Sequence, residues 1–94
     1  MSERTVAIAS RTGLHARPAA IFVKAAAAQS VPVKISAGGK GPVPAGSMLA
    51  VLSLGAGHGD EVTLHADGPG ADEALDALVT LLSRDLDAEE SADA

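Results

Sequence analysis

Along this chain the spacing of apolar residues switches from two to three or four and back again, and that switching narrows the folds open to it. Arg4 to Ala9 alternates, with Val6 and Ile8 on one face, and a polar break, Ser10-Arg11-Thr12-Gly13, follows; this reads as strand, then loop. From His15 the step lengthens: Ala19, Phe22, Val23, Ala26 and Ala27 recur at helical spacing, and the alanine run to Ala28 favours a helix of about three turns. Pro18 is tolerated only in a first turn, where a missing N–H costs nothing, so the helix starts around residues 15–17. Val31, Val33 and Ile35 alternate again, and Gly38-Gly39 before Lys40-Gly41-Pro42-Val43 predicts a hairpin with a short, ragged second strand. Ser47 ahead of Met48–Leu54, with Gly55 behind, punctuates a short helix. Glu61–Ala66 is the last strand. Asp72–Leu86 is a final amphipathic helix, its Asp72, Glu73 and Asp76 placed where they suit the helix dipole.

The element order is therefore βαββαβα. Each strand alternates and is buried on one face only, which specifies the α+β class: an open antiparallel sheet of four strands covered by three helices on one face. Residues 1–86 form one domain. Residues 87–94 are acidic, lack large apolar groups and read as a disordered tail.

Composition limits the chemistry. Of the 94 residues 47% are apolar, but 20 of these are alanine, so the core is thin and a deep ligand cavity is not expected. The absence of cysteine excludes disulfides, thiolate catalysis and sulfur-ligated metal sites. His15, His58 and His65 have no ligand-like spacing, so no metal is expected; His58 reads as a solvated loop residue and His65 as a strand-face residue. No apolar stretch reaches the roughly 18 to 20 residues that cross a bilayer, and no secretory signal stands out. A cytoplasmic protein without membrane insertion is expected. Charge is divided unevenly: residues 1–40 hold six bases against Glu3, whereas the remainder holds Arg84 against eleven acids. A basic patch on a chain of net charge −5 favours acidic protein surfaces or phosphate over a nucleic-acid backbone.

The residues that concentrate chemistry are Gly13-Leu14-His15-Ala16-Arg17-Pro18. Glycine turns the loop, proline fixes the first helical turn, and between them a histidine and an arginine stand at a helix N-terminus, an anion-favouring position. A neutral imidazole there keeps a lone pair able to accept a phosphoryl group, and the Arg17 guanidinium matches phosphate geometry better than lysine would. The plain alternative is a capping histidine beside a solvated arginine.

This hexapeptide resembles the phosphorylation signature of the HPr family, the phosphocarriers of the bacterial phosphoenolpyruvate-dependent sugar phosphotransferase system. A second stretch, Gly46 to Gly55, resembles the family too, and the likeness covers about residues 3 to 86. It implies an open-faced β-sandwich and a cycle in which enzyme I, charged by phosphoenolpyruvate with Mg²⁺, phosphorylates histidine at Nδ1. The group then passes to sugar-specific IIA proteins or domains. By this resemblance His15 is the phosphoacceptor and Arg17 its phosphate-binding neighbour, in a carrier that binds no cofactor and is not itself an enzyme. Val51 and Leu54 are expected to face the core, and Met48, Leu49 and Leu52, rimmed by Arg17 and Lys24, to dock partners. Ser47 matches a serine that a dedicated kinase modifies in some relatives, although the lysine common before it is Gly46 here; as an N-cap it needs no kinase. A monomer fits a carrier that presents one face to successive partners.

Two other readings remain: a paralogous carrier in a regulatory phosphotransfer chain or acting on transcription regulators, and a non-catalytic interaction or RNA-binding module. Gly38-Gly39-Lys40-Gly41 fits the G-x-x-G loop of KH domains, but it lies in a strand hairpin and the chain has one aromatic residue for stacking, so nucleic-acid binding is not expected. Gly55 to Gly59 leads into a strand rather than a helix and reads as a flexible turn. No serine-histidine-acid arrangement stands out along the chain, which leaves a hydrolase reading little support.

Overall fold

The structure, a computed structural model, describes residues 2–84, the side chain of Ala16 aside; the acidic stretch 87–94 lies outside the described residues. Its elements run β1 (Ser2–Ala7), α1 (Ala16–Ala27), β2 (Val33–Ala37), β3 (Lys40–Pro44), α2 (Met48–Ser53), β4 (Glu61–Ala66) and α3 (Ala71–Leu82). The four strands form one antiparallel sheet in the order β1-β4-β2-β3, with the last strand in sequence between the first and second. This is the α+β arrangement that the alternation specified.

Helices cover one face. Val62, Leu64 and Ala66 of β4 and Val33 and Ile35 of β2 point into the core, where they meet Phe22 of α1, Val51 of α2 and Leu75, Leu78 and Leu82 of α3. Glu3, Thr5, Lys34, Ser36, Thr63 and His65 alternate with the inward residues and occupy the other, uncovered face. Phe22, fully buried, is the largest side chain of this core and lies on the helix that follows the His15 loop.

Element ends differ from the sequence expectation where tertiary pairing decides them. Strand β1 runs from Ser2 to Ala7 instead of Arg4 to Ala9, because it pairs residue for residue with β4, whose ladder ends at Glu61. Ile8 is still buried, and it exchanges hydrogen bonds with the turn before β4: its N–H donates to the Asp60 carbonyl and its carbonyl accepts from Gly59. Helix α3 stops at Leu82 rather than Leu86; Ser83 Oγ donates to the Thr80 carbonyl and Arg84 N–H to Leu81, a tightened last turn. Arg4 ties β1 to α3 through Asp76 at 3.1 Å and Asp72 at 3.3 Å.

Two outcomes follow. Truncating Phe22→Ala is expected to lower the unfolding free energy by about 3–5 kcal/mol in a denaturant titration. The Asp72 carboxyl is held below its usual range chiefly by a hydrogen bond from the Ser2 side chain, which outweighs desolvation, with the charge and hydrogen bond of Arg4 adding to it. A carboxyl lowered in the folded state stabilises above the unfolded value, about pH 4, and loses that contribution as pH falls. Asp72→Asn should therefore lower the melting temperature slightly and evenly above about pH 4, through the neutral and alkaline range, and leave it unchanged at the acid end, a small effect because the group is exposed.

Candidate functional site

The loop between β1 and α1 is fixed by contacts remote in sequence. Gly13 has φ +73°, and its N–H donates to the Ser10 carbonyl, closing a tight turn. Leu14 is buried, and its N–H donates to the carbonyl of Ala56 at 2.9 Å. A Cβ on Gly13 would stand 2.6 Å from Gly57 Cα and 2.7 Å from Ala56 O, so only glycine admits this approach. Gly57 is itself held, its N–H donating to Asp60 Oδ2 at 2.9 Å and its carbonyl accepting from the Asp60 N–H at 3.0 Å. The glycine-rich stretch 55–59, expected to be a flexible turn, is thus the brace on which the Gly13-Leu14 segment rests.

His15 is the next residue. It is exposed and extended (φ −132°, ψ 161°) and occupies the N-cap of α1 without using its side chain as a cap. Its carbonyl accepts the helix's first backbone bond, from Ala19 N–H. Pro18 is buried in the first turn and has no N–H to satisfy. No acidic residue lies in that turn, so the positive end of the helix dipole is not offset from within it. The imidazole is therefore presented to solvent at the positive end of a twelve-residue helix.

Arg17 and Lys24 are both exposed on α1. Their spacing of seven, about two turns, sets them along one side of the helix. Helix α2 packs beside α1. It starts at Ser47, whose Oγ accepts from Ala50 N–H at 3.3 Å, and Gly55 beyond its end has positive φ. Val51 and Leu54 are buried, whereas Met48 and Leu52 are half-buried against the core and Leu49 is 82% exposed. Among the described residues Leu49 is the large apolar side chain that is exposed in this way.

Comparison with known proteins decides the family. Residues 2–84 match the family model for the "PTS HPr component phosphorylation site". The chain belongs to the HPr family. It is 51% identical to the phosphocarrier protein HPr of Streptomyces coelicolor over 93% of this chain and 94% of that protein. The HPr of Haloferax volcanii is 48% identical, with 86% and 92% covered. Among solved structures, HPr of Thermoanaerobacter tengcongensis superposes with a TM-score of 0.81 at 41% identity, over 87% of this chain and 91% of that one.

Within this HPr fold the residues singled out in the sequence fall on two adjoining elements: His15, Arg17 and Lys24 on α1 or at its cap, and Ser47, Met48, Leu49 and Leu52 on α2 or at its cap. Sequence reasoning missed the supporting residues Ala56, Gly57 and Asp60. The signal was there, since Gly13 and Gly57 are two glycines in turns, but nothing along the chain says that they meet. Among the described residues no cluster of three or more histidine or acidic side chains could hold a metal ion, and no helix is long and apolar enough to cross a membrane.

The brace is testable. Gly13→Ala should cost about 2–3 kcal/mol through overpacking on top of the left-handed backbone, and should shift the amide resonances of Leu14 and His15. Gly59→Ala has φ +85° but open space at Cβ. It should lose only about 1 kcal/mol, leaving the His15 resonances in place.

Proposed function

We propose that this HPr-family chain accepts a phosphoryl group on His15 from phosphoenolpyruvate-charged enzyme I and passes it to sugar-specific IIA proteins or domains. The observation that carries this reading is His15 itself: an exposed imidazole that caps α1 without closing its side chain onto the helix. Family membership supplies the carrier role, and the geometry supports this histidine as the acceptor.

The transfer requires little of the protein beyond positioning and charge. A lone pair on His15 Nδ1 attacks the phosphorus of the charged donor, the bond from phosphorus to the donor breaks, and the donor keeps that electron pair. The phosphoryl oxygens then face the first turn of α1, where the dipole favours anions and no carboxylate repels them. Arg17, two residues on, supplies a planar guanidinium for the same oxygens. Onward transfer reverses these steps on an acceptor protein. Stabilisation has to be moderate, since a carrier that held phosphate tightly would not release it. No cofactor is required on this chain, and Mg²⁺ serves enzyme I.

Leu49, with the half-buried Met48 and Leu52 beside it, forms the apolar part of the docking surface, and Arg17 and Lys24 form the basic part. Phosphate on Ser47 would sit at the start of α2, compatible with the helix but repulsive to an acidic partner. In the folded protein as it stands Ser47 acts as an N-cap.

Single-turnover transfer from charged enzyme I tests these assignments. His15→Ala should fold normally and take up no phosphate; Arg17→Ala should keep the acceptor and slow transfer roughly tenfold or more. Wild-type rates in Arg17→Ala would remove its phosphate role. Leu49→Asp should leave the melting temperature unchanged, because the side chain is exposed, and raise KM for the partner with little change in kcat.

A further inference from the structure

On the face of the sheet that the helices leave open, three side chains from three strands form a continuous hydrogen-bonded chain. Glu3 of β1 and His65 of β4 are direct cross-strand partners, and Glu3 Oε2 lies 3.2 Å from His65 Nδ1. On the other side of the ring, His65 Nε2 lies 3.0 Å from Ser36 Oγ of β2. In the β2/β4 register His65 faces Lys34 while Ser36 faces Thr63, so Ser36 reaches His65 along the diagonal.

The polarity of this chain follows from the groups in it. An ionised carboxylate can only accept, so in the neutral imidazole Nδ1 carries the proton and Nε2 presents its lone pair to the serine hydroxyl. That is the connectivity by which a carboxylate orients an imidazole and the imidazole activates a hydroxyl nucleophile. The imidazole is well enclosed (side chain 19% exposed), and all three residues stand on paired strands, so the ladder holds the geometry.

The surroundings of Ser36 are not those of a regular sheet. Ile35 pairs with Val43 and Ala37 with Lys40, so Gly41 and Pro42 both stand opposite Ser36. Such irregularities re-aim a side chain. An open groove of about 390 Å³ runs past the hydroxyl, lined by Ser36, Gly41, Thr63 and His65, with Lys40 and Glu61 also on its wall. Lys40 is the cation on that wall available to a developing oxyanion, with the Glu61 carboxylate on the same wall.

We propose that Ser36, His65 and Glu3 form a second, hydrolytic site that cleaves small activated carboxylic esters in this groove, on the opposite side of the sheet from the helices. Ser36 Oγ attacks the ester carbonyl as His65 Nε2 takes its proton. The tetrahedral adduct expels the alcohol or phenol, which receives that proton, and leaves an acyl group on Ser36. Water then attacks the acyl carbon with His65 again taking the proton, and Ser36 is released with the proton returned to it. Ester and water become acid and alcohol, with no other reactant.

The test uses 4-nitrophenyl acetate as substrate, in His15→Ala protein so that the exposed imidazole of His15 contributes no acylation. Phenolate release is followed, and the acetyl group is mapped by peptide mass analysis. Acetyl on Ser36, with release at least about tenfold faster than in the added Ser36→Ala or His65→Gln variants and a slower rate in Glu3→Gln, is the expected result. Equal rates in all variants, or acetyl found only on lysines, would overturn the proposal. Circular dichroism accompanies each variant; should Ser36→Ala unfold, His65→Gln and the site of acetylation still decide the question.

Discussion

The alternation of β4 in the middle of the sheet is the constraint on which the rest of the molecule depends. With β1 on one side and β2 on the other, β4 sends Val62, Leu64 and Ala66 under the helices and Thr63 and His65 to the open face. A slip of one residue would exchange the two sets, placing a histidine in the core and three apolar groups in water. The register therefore fixes where the helices can lie. It also fixes the turn that enters β4, whose Ala56, Gly57 and Asp60 support the loop that delivers His15 to the cap of α1. Core, site and open face share one strand.

This arrangement explains how a thin core can position a chemical group. Alanines on α1 allow the helix to pack closely against α2 and α3, with Ala19 and Ala26 buried beside Phe22. The helix is thereby held as a rigid body with its positive end at the rim of the fold. Transfer of a phosphoryl group between proteins requires an acceptor that is exposed to each partner in turn, an electrostatic setting that tolerates the charge, and a surface that both partners can engage. In the proposed reading His15 supplies the first, the N-terminus of α1 with Arg17 the second, and the exposed side of α2 the third. No deep cavity is needed, because the substrate is carried on another protein.

Much of this is legible in the chain because it is local. Period changes mark β1, α1, β2, β4 and α3, Gly38-Gly39 announces the turn into β3, Pro18 restricts the start of α1, and Ser47 with Gly55 brackets α2. On α2 helical spacing groups Val51 with Leu54, and the resemblance to the family then places Leu49 on the outward side, as the structure has it. What cannot be read depends on residues distant in sequence. The extent of β1 is set by the end of β4, and the need for glycine at position 13 arises from Gly57. The Glu3, His65 and Ser36 chain exists only through two strand registers and one diagonal, so no spacing along the sequence announces it. At the end of α3 the Ser83 N–H still reaches Val79 but the Arg84 N–H turns to the nearer Leu81 carbonyl, a tightening that apolar periodicity does not report.

The central claim is that the cap of α1 presents His15 as the phosphoacceptor. Its most direct test is to charge the isotopically labelled protein with phosphoenolpyruvate, Mg²⁺ and enzyme I, then record phosphorus and nitrogen resonances. The account predicts one acid-labile phosphoryl group bonded to Nδ1 of His15, with the largest amide shifts at Ala16 and Arg17 in the first turn. Phosphate on another residue, or none with a demonstrably active enzyme I, would contradict it.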